Sequence, residues 1–116
     1  MYLIIFINGI YDIICGLSIL FFPKFFFAKI HPQVFHKKYI DNDILKRFIA
    51  YWIITQGFIR LSIIYPSIII NNLIAISYLI EAFVFAYEYI YFKTMIFYKT
   101  LWIVITSLIL CFLLLN

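Results

Sequence analysis

Six residues of this 116-residue chain have side chains able to do chemistry where the surrounding sequence is apolar: Asn8, Asp12, Gln56, Arg60, Tyr78 and Glu81. Two carboxylates and one guanidinium away from water have three uses. They can neutralise one another and fix the register of the elements that carry them. They can bind a cation or carry a proton, because one carboxylate exceeds the single Arg and is expected to keep its proton through desolvation and like-charge repulsion. They can also act as acid and base on an apolar substrate. Ionisable residues inside a membrane mark functional sites, so these six form the candidate buried polar cluster.

The elements that position them follow from composition. The chain is 67% hydrophobic and 12% charged, about half the charge of an ordinary soluble domain, so it cannot cover a water-facing surface. Lipid is the expected solvent. Apolar segments fall at 2–22, 48–65, 68–91 and 96–115. Each has about the 17 to 25 residues that a helix needs to cross the hydrocarbon core, where a sheet with open edges would leave backbone groups unsatisfied. The expected fold is therefore all-α, four transmembrane helices at about 2–22, 46–65, 67–91 and 96–115 in one antiparallel bundle, with an interfacial loop at 23–45. The first segment lacks a preceding basic region and a small-residue cleavage site, so it is read as a retained span and not a signal peptide.

Charge orients the bundle. The first connection holds Lys24, Lys29, Lys37, Lys38, Lys46 and Arg47, and the third holds Lys93 and Lys99, whereas the second has neither Lys nor Arg. By the positive-inside rule both connections are cytoplasmic and both termini non-cytoplasmic. The net charge of +4 then reflects basic residues meeting anionic headgroups, and a nucleic-acid partner is not expected. Phe25, Phe26, Phe27, Ile30 and Phe35 among these lysines suggest a segment lying in the headgroup region.

Local signals set the ends. Asp41-Asn42-Asp43 offers capping oxygens before the second helix, and Tyr65-Pro66-Ser67 breaks that helix and can cap the third, giving a tight hairpin. At 100° per residue, Asn8, Gly9, Asp12, Cys15 and Gly16 share one side of the first helix, opposite Leu3, Phe6, Ile7, Ile10, Ile14, Leu17 and Phe21. Gln56, Gly57 and Arg60 share a face with Ile53. On the third helix Asn71, Ser77, Tyr78, Glu81 and Glu88 form a stripe beside Ala75, Ala82 and Ala86. Small and polar stripes pack against protein in membranes, and the bulky faces opposite meet lipid. The fourth helix carries only Thr100, Ser107 and Cys111 and reads as a packing helix. Counted from the helix ends, Arg60 lies about a turn from the level of Asp12 and Glu81, within its reach.

Other constellations are weak. Cys15 and Cys111 are expected to differ in height by roughly 10 Å, beyond the ~7 Å a disulfide tolerates, so they are read as packing residues. His31 and His36 beside Pro32, with Asp41 and Asp43, match no zinc spacing and are read as a solvated loop. Glu88 is expected to pair with Lys93 or a headgroup. No resident cofactor is implied. Ala82-x-x-x-Ala86 offers a surface through which two copies, or a membrane-protein partner, can join.

Gly9 and Gly16 followed by Pro23, then Gly57-Phe58-Ile59-Arg60 and a compact hairpin, resemble the small DoxX-like four-helix membrane proteins. That resemblance implies topology and no catalytic residues. The sterol-isomerase and sigma-2-like membrane proteins also combine four helices with buried carboxylates, and stand as the alternative. Three functions follow: a non-enzymatic membrane protein, a small carrier or binding protein for a proton, cation or apolar amine, or a lipid- or sterol-modifying enzyme.

Overall fold

Tertiary structure was obtained as a computed structural model, which describes residues 1–115. Its long helices are α1 (Tyr2–Phe21), α4 (Asp43–Leu61), α5 (Ile68–Tyr87) and α6 (Phe97–Leu115). Two one-turn helices, α2 (Phe27–Ile30) and α3 (Lys37–Ile40), lie in the first connection. The described residues contain no strand. With the turns that extend α4 to Ile64 and α5 to Phe92, four helices are long and apolar enough to cross a membrane. The protein is all-α and multi-span.

The helix ends have identifiable causes. Asn42 precedes α4, and its Oδ1 accepts from the Ile44 and Leu45 amides at 2.9 and 3.2 Å. The helix therefore begins at Asp43, three residues before the expected start, because the cap and not the apolar run sets it. Ser67 caps α5 through the Ile70 amide at 3.1 Å. Past Tyr87 the chain widens into a π turn over Glu88–Phe92 and stops at Lys93, which takes a left-handed conformation with φ 56°. The Glu88 carboxylate accepts from the Thr94 hydroxyl at 2.7 Å, so a threonine serves the role expected of Lys93 or a headgroup.

The chain divides into two compact units, Met1–Ile64 and Tyr65–Asn116. In the first, α1 and α4 pack as an antiparallel pair. Glycines set their separation. A Cβ on Gly57 would stand 2.8 Å from the Gly9 carbonyl oxygen and 2.6 Å from the Ile13 side chain. One on Gly9 would stand 3.0 Å from the Gly57 carbonyl oxygen, and one on Gly16 would press on Ile54 and the Ala50 carbonyl. The backbones touch at these points, which is how helices gain van der Waals energy where no hydrophobic force draws them together.

In the second unit α5 and α6 pack on each other. Ala75, Ser77, Tyr78 and Ala82 are buried on α5, as are Thr100, Ser107 and Cys111 on α6. Ala86 is half-buried. The expected division of faces is seen on the spans except at Phe6, expected on the lipid side of α1 and half-buried at its border. Leu3, Ile7, Ile10, Ile14, Leu17 and Phe21 on α1, and Leu73, Ile76, Ile80, Phe83 and Tyr87 on α5, are all exposed. Cys15 and Cys111 are buried and free.

Gly57→Ala separates helix propensity from packing. Alanine favours an isolated helix by ~0.5–1 kcal/mol, whereas overpacking a close contact costs ~1–3 kcal/mol. The substitution is expected to destabilise the protein by about 1–2 kcal/mol net, read by reversible unfolding in mixed micelles. Unchanged or raised stability would show that the backbones do not touch.

Candidate polar site in the first helix pair

Asp12 stands midway along α1, on the small and polar side that α4 covers. Arg60 stands in the last turn of α4, and its guanidinium reaches back along the pair. The Arg60 Nη1 lies 2.6 Å from Asp12 Oδ2 and donates to Asn8 Oδ1 at 3.3 Å. Asp12 is 3% exposed and Arg60 2%, so neither charge can be hydrated and each depends on the other. A distance of 2.6 Å is at the short end of charge-assisted hydrogen bonds. Of the six residues singled out from sequence, Asn8, Asp12 and Arg60 are thus brought into one contact set.

Gln56 lies one turn before Arg60 on the same face and is buried. Its Oε1 has no hydrogen-bond partner among the described residues. Tyr78 and Glu81 stand three residues apart on α5 in the second unit, Tyr78 buried and Glu81 half-buried.

The structure adds a residue that the sequence reading placed elsewhere. His31 belongs to a stretch that folds back along α1 instead of lying flat, burying Ala28, Pro32 and Val34. Its Nε2 comes within 3.8 Å of Asp12 Oδ1, and its ring lies 5.8 Å from that of Tyr11. Phe27 meets Tyr11 edge-on at 6.2 Å. The solvated-loop reading therefore holds for His36, which is exposed, and fails for His31. The available signal was Phe25 to Val34 itself, whose apolar residues exceed what one helical face in the headgroups needs.

Burial pulls the His31 imidazole down to about 4, and the Arg60 guanidinium adds to the shift. At neutral pH the ring is uncharged, and 3.8 Å is too long for a hydrogen bond. Arg60 alone therefore balances the Asp12 carboxylate within this contact set. No group of three or more His, Cys, Asp or Glu side chains among the described residues is placed to hold a metal ion. Of the basic residues assigned to headgroups, Lys24, Lys29, Lys37, Lys38 and Arg47 are exposed and Lys46 is half-buried.

A family model described as "Erg28 like protein" matches residues 4–112. The chain belongs to the Erg28-like family. This membrane-associated family agrees with the four apolar spans, and the chain is a small multi-span membrane protein. The DoxX-like resemblance reached that class but not this family. Its glycines answer a packing need that any closely paired helices share. No curated protein and no solved structure matches the chain.

The His31 contact has a pH signature. A histidine whose pKa is lowered on docking binds fewer protons docked than free, so docking is fully stable above the free value of about 6.5 and weakens as pH falls toward about 4. Amide protection factors across 25–34 are expected to fall through that window in wild type and to stay flat in His31→Phe. A His36→Phe variant that flattened the profile instead would place the titrating group in the wrong residue.

Proposed function

We propose that this Erg28-like protein is a non-catalytic accessory bundle, which holds its helices in a set geometry and packs against other membrane proteins. The observation that carries this reading is the Asp12–Arg60 contact. The two buried charges neutralise each other at 2.6 Å across α1 and α4, the arrangement a register lock needs. Glycine contacts close the same pair of helices, so the polar group and the packing serve one task. The sterol-pathway association that the family name hints at makes sterol-modifying membrane enzymes the natural partners for such a bundle. Both termini on the non-cytoplasmic side remain the orientation that the eight basic residues of the first and third connections favour.

A second reading, a small carrier or binding protein for a proton, cation or apolar amine, is favoured by a different observation. Gln56 Oε1 and His31 Nδ1 are buried acceptors or donors with no hydrogen-bond partner among the described residues, as a ligand site would leave them. In that reading Asp12 is the carboxylate of the first unit that a cation, proton or amine would meet.

Paired neutralisation separates the two. Asp12→Asn or Arg60→Gln alone leaves a buried charge without its counter-charge and is expected to cost about 3–5 kcal/mol. The double variant Asp12→Asn with Arg60→Gln removes both charges and is expected to recover most of that loss. In cells lacking the chain, an accessory bundle predicts that the double variant restores the crosslinked membrane partners and the sterol profile. A stably folded double variant that restores neither would overturn the accessory reading and favour the carrier.

A further inference from the structure

Where α1 ends, an open groove of about 860 Å³ runs beside its last two turns, within the range of about 300–1,000 Å³ that ligand sites occupy. Ile14 and Leu17 form one wall, and Phe22, Pro23 and Phe25 form the other as the chain turns away from the helix. Ser18 lies on the floor, but its hydroxyl donates to the Ile14 carbonyl at 2.7 Å, so it offers the groove no hydrogen. The turn is held open by its own backbone bonds, with the Phe22 amide on the Ser18 carbonyl at 2.8 Å and the Phe25 amide on the Phe22 carbonyl at 2.9 Å. The groove is therefore a built feature and apolar along its length.

One lining residue differs. Lys24 is exposed at the mouth of the groove, just beyond the end of the first membrane-length helix. No acidic residue occurs between Asp12 and Asp41, and Lys24 makes no ion pair among the described residues. A long apolar trough ending in a single cation at headgroup height is complementary to an amphiphile with a hydrocarbon tail and a negatively charged head.

We propose that this groove is a binding site for one anionic phospholipid, its acyl chain along Ile14 and Leu17 and its phosphate on Lys24. The site is independent of the Asp12–Arg60 contact and of the accessory reading. It also differs from a general basic belt, in which Lys24, Lys29, Lys37 and Lys38 would attract headgroups alike. Here the tail is seated by Ile14, Leu17, Phe22 and Phe25, and only Lys24 of the four lines the trough.

The test uses the full chain in vesicles of phosphatidylcholine with a minority of phosphatidylserine, carrying a photoactivatable acyl chain on one lipid or the other. Labelled peptides are mapped by mass spectrometry. The phosphatidylserine probe is expected to label 14–25 in preference to the opposite end of the same exposed face of α1, around Leu3 and Ile7. Lys24→Gln is expected to reduce that labelling about fivefold, the effect of one basic residue near an anionic surface, and Lys29→Gln to leave it unchanged. Leu17→Trp, an exposed position that tolerates a large side chain, is expected to block labelling by either probe. Equal labelling by the two probes, equal losses for Lys24→Gln and Lys29→Gln, or persistence of labelling in Leu17→Trp would each overturn the proposal.

Discussion

A carboxylate and a guanidinium, each less than 4% exposed, meet at 2.6 Å across α1 and α4, and the first half of this protein is arranged around that meeting. Either charge alone would be costly there. A central Asp costs ~2.5–3.5 kcal/mol on insertion, against ~0.3–0.6 kcal/mol gained for each Leu, Ile or Phe. The thirteen such residues between Tyr2 and Phe22 cover that cost, so α1 can enter a membrane with its Asp in place. Once inside, the carboxylate still needs a partner, and Arg60 can supply one only if α4 lies close and in one register. The glycine contacts provide that closeness, and the ion pair selects among the registers they would permit.

The same contact explains the folded-back segment. Residues from Phe27 to Val34 cover the open side of α1 near Tyr11 and Asp12, where Ala28, Pro32 and Val34 become buried. An uncharged His31 suits this place better than a charged one. Its neutral ring can pack on Tyr11 without competing with Arg60 for the carboxylate. Irregular backbone at depth is tolerated where it is packed against protein, and here the edge-on Tyr11–Phe27 contact anchors it. The second unit has no counterpart of this covering strap among the described residues, and several of its hydroxyls bond to carbonyl or carboxylate oxygens close by in the chain. Thr100 donates to Ile96, Ser77 to Ile74, and Thr94 closes on Glu88.

Membership of the Erg28-like family and the proposed accessory role suit a chain built this way. In the proposed role the Asp12–Arg60 pair locks α1 to α4, while broad apolar faces stay exposed, such as Leu3 to Phe21 on α1 and Leu73 to Tyr87 on α5. Those faces can be met by lipid or by the spans of other proteins without rearranging the interior. The exposed stacked rings of Phe83, Tyr87 and Tyr91 add a flat aromatic strip to one of them.

Composition, hydropathy and helical period were enough to read four spans, their caps at Asn42 and Ser67, and which face of each helix is buried. Those properties depend on neighbours within a few turns, so they are written in local order. Asp12 and Arg60 could be matched by depth, since helix rise converts residue number into height. What local order cannot carry is the path of a connection. The lysines and phenylalanines of 23–45 suited a segment lying flat, and only packing on α1 decided that part of it turns back, buries Val34 and sets His31 beside Asp12. The apolar side chains there gain more from a protein surface than from the headgroup region, and that surface is offered by α1 around Tyr11, far from them in sequence.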